Sequence, residues 1–289
     1  DVRSLNPKII YVGAYGYSEK GPRAGRAAYD DLIQGSTGVP WLVSKEGREN
    51  PRYVPLNFAD RVTGLHAVYA VTSALYQREK SGRGQSIEVP MFESVSHFVL
   101  GDHMAGLSFQ PPIGPSGYER LKHRRVYETK NGFICALVYN EAQWTRFWVA
   151  MNKPEMMDDP KFITHAARAQ NIGEIYDLLS GIIKGQDTEY WMEFFQDVDV
   201  PVAKMNTVDD LLTDEHLLET GFFINEQHPT EGALYATKTP SNWSESSPER
   251  VTPAPSLGQH TREVLRNLSY NDAEIDSLIE ARAVSDGIE

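Results

Sequence analysis

Residues 60–80 carry the strongest helical pattern in the chain, and a short apolar run lies on either side of it. Upstream is Ile9-Ile10-Tyr11-Val12, following Asn6-Pro7; downstream is a run over residues 86–89. Within the helical segment, Val62, Leu65, His66, Tyr69 and Ala70, then Ser73, Ala74, Leu75 and Tyr76, recur at helical spacing and predict a wide apolar face. The small residues Gly64, Ala67, Ala70 and Ala74 suit close packing against a sheet or another helix. Strand, crossover helix and strand in that order predict a parallel α/β unit.

The pattern around this unit predicts the rest. Residues 13–25 are rich in Gly, Tyr and Ser and read as a loop; residues 27–34 read as a short helix ended by Gly35 and Gly38. Gly82 and Gly84 mark a turn after the long helix, and Pro90 opens a second helix to about residue 105. A Pro/Gly-rich linker over 110–117 separates this part from one of different character. There Asn131-Gly132 between apolar runs predicts a hairpin over 127–138. Helices are expected over 141–151, 174–183 and 188–196, a strand at Pro201-Val202-Ala203-Lys204, and a further element over 208–213. The stretch 229–255 is polar, with Pro and Ser scattered through it. Helices return over 261–267 and 273–281, the latter with Asn271 as its cap. The expected division is the catalytic part of a large α/β domain over 1–109, a linker over 110–117, a smaller α+β domain over 118–228, and a linker with C-terminal helices over 229–289. The first six residues read as the end of a helix leading at once into a strand, so the chain is expected to begin in the middle of a fold.

Charge and composition narrow the function classes. The formal net charge of -12 argues against a general nucleic-acid binder, which needs a basic footprint to neutralise phosphates. A local basic cluster still suits an anionic ligand. Arg120, Lys122, His123, Arg124 and Arg125 form one such stretch, and on residues alone it reads either as an anion contact or as a solvated loop. The one cysteine, Cys135, rules out an intramolecular disulfide. Its setting, Phe133-Ile134-Cys135-Ala136-Leu137-Val138, reads as a buried strand. No apolar run approaches the ~20 residues of a membrane span, and no signal peptide is visible; a cytoplasmic setting is expected.

Phosphate-binding glycine loops, a Gly-x-Ser-x-Gly elbow and metal-ligand spacings among the eight histidines are all missing from the sequence. Metal catalysis and serine hydrolysis have no support, which leaves carboxylates. Position singles out Asp60, which follows Leu56-Asn57-Phe58-Ala59 at the start of the long helix. The helix dipole and free N–H groups favour a carboxylate there. Asp60 then reads as a helix cap, as a nucleophile, or as both.

The segment Asn57-Phe58-Ala59-Asp60-Arg61-Val62-Thr63-Gly64-Leu65-His66 resembles the part of family III CoA-transferases, the CaiB/BaiF family, that holds their aspartate nucleophile. The register is supported along the whole chain. Leu5-Asn6-Pro7-Lys8 resembles the family's Leu-Asn-Pro-Arg approach to a strand, and Gly21-Pro22 with Tyr29-Asp30 its Gly-Pro and Gly-Tyr-Asp stretch. Lys80-Ser81-Gly82-Arg83-Gly84-Gln85 resembles its Thr-Gly-Arg-Gly-Gln turn. Lys153-Pro154-Glu155 with Asp158-Asp159-Pro160, and Val200-Pro201-Val202, resemble its small domain; Leu257-Gly258-Gln259-His260-Thr261-Arg262 resembles its C-terminal signature.

The resemblance implies an α/β fold: an incomplete Rossmann-like large domain, a smaller α+β domain, and C-terminal helices returning to the large domain. It implies transfer of coenzyme A from an acyl-CoA donor to a carboxylic acid acceptor through an aspartyl-CoA thioester on Asp60, without a metal, a nucleic acid or a membrane. It assigns Ala27, Ala28, Tyr29 and Asp30 to the segment lining the thiol and pantetheine of CoA. It also implies an interlocked homodimer. For Tyr29 and Asp30 helix-start packing and capping fit equally well. The family's N-terminal nucleotide-binding segment and its early glutamine have no counterpart in this chain, so activity is expected to need them from elsewhere. Pro115-Ser116-Gly117-Tyr118-Glu119 is no glycine run of the kind that lids formyl-CoA transferases, so oxalate or formate specificity is not implied. An α-methylacyl-CoA racemase shares the fold, but racemases of the family place His where this chain has Tyr29, a poor base at neutral pH. A non-catalytic subunit supporting a partner is the third reading.

Overall fold

The computed structural model describes residues 2–44, 48–246, 248 and 253–287; Asp1 and part of the polar 229–255 stretch lie outside them. Contacts group the chain into two units, one running to Lys204 and one starting at Met205.

The first unit opens with a single turn, α1 (Val2–Leu5), and then strand β1 (Tyr11–Tyr15). Two short helices follow, α2 (Asp30–Ser36) and α3 (Val39–Val43), and then the long helix α4 (Phe58–Ser81). Strand β2 (Ser86–Pro90) returns beside β1 in parallel, with Tyr11 opposite Ser86 and Tyr15 opposite Pro90. The expected strand–crossover–strand unit is therefore present, and helix α5 (Met91–His103) leaves β2 directly at Pro90. The turn that closes α4 explains two glycines. Gly82 takes a left-handed φ of 69° and donates its N–H to Arg78 O, a conformation that costs a residue with a Cβ about 1 kcal/mol or more. Gly84 lies against the backbone leading into β1: a Cβ there would stand 1.9 Å from Ile9 O.

The buried side of α4 is narrower than its sequence predicts. Ala59, Val62, Thr63 and Ala74 are buried, and Ala67 and Ala70 half-buried, along a spine of small side chains facing α2, α5 and the two strands. Leu65, at 68% exposure, Tyr69 and Tyr76 point outward instead, with Val68 and Leu75 beside them. Close packing selects the small residues for the inside, since the helix approaches its neighbours only where side chains are short. A compact cluster of Ile33, Ala59, Val62 and Val95 holds α2, α4 and α5 together.

The remainder of the first unit comprises α6 (Tyr118–Leu121), β3 (Tyr127–Glu128), β4 (Phe133–Ala136), α7 (Glu141–Ala150), α8 (His165–Gln170), α9 (Ile172–Ile183), α10 (Thr188–Asp197) and β5 (Val202–Lys204). The Asn-Gly hairpin forms as β3 and β4, and β5 adds to the other side of β4, antiparallel. The core here is aromatic: Trp144, Phe147, Trp148, Phe162, Trp191 and Phe195 are buried together with Ile134, Ile175 and Ile183. Cys135 is exposed, contrary to the buried setting its apolar neighbours suggest. The sheet has one covered face, so side chains alternate; Ile134 takes the core side and Cys135 the outside.

The second unit holds α11 (Val208–Leu212), α12 (Glu215–Glu219), the hairpin β6 (Phe223–His228) and β7 (Gly232–Thr237), and helices α13 (Thr261–Asn267) and α14 (Asp272–Glu280). Asn271 caps α14 with a reciprocal Glu274 contact, as its position predicts. The hairpin is missed by sequence reasoning, because its return strand Gly232-Ala233-Leu234-Tyr235-Ala236-Thr237 sits in a polar context and alternates weakly. Gly232, at a φ of 78°, makes the turn.

Candidate active site

Asp60 is the third residue of α4, and the helix carries it out from the edge of the small-residue core. Its side chain is exposed and, among the described residues, has neither a hydrogen-bond nor an ion-pair partner. It therefore does not cap its own helix. Asn57, at the cap position, makes no side-chain capping bond either. The cap comes from elsewhere: Asp30 Oδ1 accepts the N–H of Ala59 at 2.6 Å and the N–H of Asp60 at 3.1 Å. Asp30 stands in the first turn of α2, so one helix start supplies the carboxylate that satisfies the orphan donors of another.

The second oxygen of Asp30 is held as well. Gln34, one turn on, donates from Nε2 to Asp30 Oδ2 at 2.6 Å. Gln34 is fully buried, and the same amide also reaches Val54 O and Leu56 O and accepts the N–H of Val54 at 3.0 Å. The loop entering α4, the start of α2 and the start of α4 are thus tied through one buried amide and one carboxylate. Sequence reasoning passes over Gln34; its signal is a lone amide beside Leu32-Ile33 at i+4 from Asp30.

Of the residues singled out in the sequence, Asp30 and Asp60 are brought together. Tyr29 precedes Asp30 at the cap position of α2, makes no capping bond, and keeps its ring 74% exposed. Ala28 is half-buried against the α2–α4–α5 cluster and abuts Gly16, where a Cβ would come within 2.2 Å of the Ala28 Cβ. Ala27 is exposed. The loop that delivers this segment is pinned to β2 and α5: the Glu19 N–H bonds to Glu88 Oε1 of β2, the Ser18 N–H to Glu93 Oε1 of α5, and Arg23 lies over the Phe92 ring of α5 at 4.8 Å. Hydrogen bonds from the Ser18 side chain and the Glu19 backbone hold the Glu88 carboxyl below its ordinary pKa. The basic stretch lies elsewhere in the first unit, with Arg120, Arg124 and Arg125 on the lining of a cavity beside β3, β4, α8 and α9. Among the described residues no group of three or more His, Cys, Asp or Glu side chains converges to hold a metal.

Among the described residues Asp60 thus has no side-chain bond that holds the fold, and the cap of α4 is the work of Asp30. The model of CoA-transferase family III matches residues 1–261, and the chain belongs to that family. It is 27% identical over 289 residues to the human succinyl-CoA:glutarate CoA-transferase, an alignment covering 98% of this chain and 65% of the relative. It is 24% identical to a formyl-CoA:oxalate CoA-transferase of a Bradyrhizobium species, covering 98% of this chain and 72% of that one. Among solved structures it resembles a CaiB/BaiF family protein from Brucella suis, with a TM-score of 0.73 at 26% identity over 92% of this chain and 70% of the other. The chain spans about two thirds of the length of the human relative. No helix among the described residues is long and apolar enough to cross a membrane.

Proposed function

We propose that the protein transfers coenzyme A between carboxylic acids, with Asp60 as the covalent carrier. The observation that supports this most directly is the unpartnered Asp60 carboxylate at the start of an α4 whose cap is supplied by Asp30. The proposed steps balance. The Asp60 carboxylate attacks the donor thioester, expelling CoA thiolate and forming a mixed anhydride. The thiolate attacks the aspartyl carbonyl, releasing the donor acid and leaving an aspartyl-CoA thioester. The acceptor carboxylate attacks that thioester, again expelling thiolate; the thiolate then attacks the acceptor's own carbonyl, giving the new acyl-CoA and restoring Asp60. Each exchange is divided into steps with lower barriers.

In this reading Ala27, Ala28 and Tyr29 line the path of the CoA thiol, and Asp30 is a positioning residue. The names of the relatives support an organic dicarboxylate as the acceptor. The parallel β1–β2 pair with its α4 crossover supports an incomplete Rossmann-like large domain over residues 1–109, followed by a linker over 110–117. The outward row Leu65, Val68, Tyr69, Leu75 and Tyr76 on α4 supports the interlocked homodimer, because a monomer rarely leaves so long an apolar stripe in water. A cytoplasmic setting fits acyl-CoA chemistry.

The test is an exchange assay on the full-length protein, with succinyl-CoA as donor and glutarate as acceptor. Formation of glutaryl-CoA with release of succinate is expected. Deuterium incorporation at the α-carbon of a 2-methylacyl-CoA in heavy water, with no CoA exchange to any acid, is the outcome that contradicts the reading.

A further inference from the structure

A cavity of about 580 Å³ lies in the first unit, bounded by residues of α6, the segment 122–126, β3, β4, α8 and α9. Its volume is that of a small-molecule site. The walls are apolar and aromatic, with Trp144, Tyr127, Tyr176 and Ile172 among them, and the rim is basic. Three features set it apart from a solvent-filled groove.

The first is charge. Arg120, Arg124, Arg125 and Arg168 line the cavity, with Asp102 as the one acidic lining residue. Arg125 is paired with Asp177 at 2.6 Å and Arg168 with Glu141 at 2.7 Å. Arg120 and Arg124 have no ion-pair or side-chain hydrogen-bond partner among the described residues. His165 adds a further titratable donor. An excess of guanidinium groups in a chain of net charge -12 is a local field opposed to the global one, which is how an acidic protein attracts an anion. The second is a free donor. Tyr127 lines the cavity, and its hydroxyl, with no hydrogen-bond partner among the described residues and not itself sealed from the cavity, is open to an acceptor that enters there. The third is rigidity. The walls rest on the aromatic core: Trp144 is 2% exposed, and Arg168, itself buried, is anchored to Phe162 O. Burial pushes the Tyr127 and Tyr176 phenols up, keeping both as neutral donors.

We propose that this cavity binds a small organic oxyanion, a carboxylate or a phosphate monoester on an apolar or aromatic body. Arg120 and Arg124 supply the planar forks that match such a group, Tyr127 donates to it, and Trp144 and Ile172 receive the body. The proposal does not rest on the role of Asp60.

The test is calorimetric titration of the full-length protein with phenyl phosphate, phenylacetate and, as an uncharged control, 2-phenylethanol. Saturable binding of one or both anions, at one site per chain and without binding of the alcohol, is expected; the tighter anion names the class. The double variant Arg120→Gln/Arg124→Gln is expected to weaken that binding at least about tenfold, consistent with the loss of charge-assisted contacts. Tyr127→Phe is expected to weaken it by about three- to tenfold. Asp60→Asn is expected to bind as wild type, which keeps this result separate from the transfer reaction. Failure of both anions to bind, equal binding of the alcohol, or unchanged affinity in the double variant overturns the proposal. Both arginines are exposed and unpartnered, so the double variant leaves the fold intact.

Discussion

Asp30 and Asp60 are both carboxylates in the first turn of a helix, yet their surroundings give them different work. Asp30 accepts three hydrogen bonds, two from the start of α4 and one from Gln34; Asp60 accepts none among the described residues. Replacing Asp30 by Ala should therefore cost stability, about 1–2 kcal/mol for a lost cap, read as a lower urea midpoint with unchanged m-value. Asp30→Asn keeps an acceptor for the N–H groups and should cost less. Asp60→Asn should leave the unfolding free energy within about 0.5 kcal/mol of wild type while lowering kcat at least about a thousandfold. A third expectation concerns Tyr127, whose phenol burial pushes up. The folded state then holds the proton more tightly than the unfolded one, so the contribution is full below the unfolded phenol pKa of about 10 and declines as pH rises beyond it. Unfolding free energies measured between about pH 9 and 11 should fall more steeply for wild type than for Tyr127→Phe. The position of Asp60 was legible from one sequence because a long helix begins there. Asp30 was legible as a helix-start residue and, by the family resemblance, as part of the CoA-lining segment, but not as the cap of α4, since nothing in its neighbours indicates that its acceptors serve another helix 29 residues away.

Helix α4 joins the parts of the site, and its ends were readable for physical reasons. Its C-terminus is marked by Gly82 at positive φ and by Gly84 pressed on the Ile9 carbonyl. Gly84→Ala should cost well over 1 kcal/mol because backbone must move, and Gly82→Ala about 1 kcal/mol; thermal melting of the two variants should rank them in that order. What periodicity could not say was which apolar residues face inward. Leu65, Tyr69 and Tyr76 satisfy the helical spacing yet stay outside, as a second surface on the same helix would require. In the dimer reading, Leu65→Glu with Tyr69→Glu should shift the protein from dimer to monomer in sedimentation velocity; an unchanged dimer would place the interface elsewhere. Cys135 shows the same limit at strand period, where a run of apolar residues conceals an alternation that only the sheet resolves.

At the scale of the whole molecule, the order of motifs from Leu5-Asn6-Pro7 to Leu257-Gly258-Gln259 was enough to place the chain in its family, and the match over residues 1–261 agrees. The basic cavity was not legible, because Arg120 and Arg124 meet Tyr127, Trp144 and Arg168 only after β3, β4 and the following helices fold against one another. The central claim remains that one side chain carries acyl and CoA groups in turn. Its most direct test is mass spectrometry of the full-length protein incubated with succinyl-CoA and then treated with hydroxylamine or borohydride. A mass change confined to the peptide containing Asp60, abolished in Asp60→Asn, is the predicted result; turnover with no modification at Asp60, or an Asp60→Asn protein that still exchanges CoA at the wild-type rate, contradicts it.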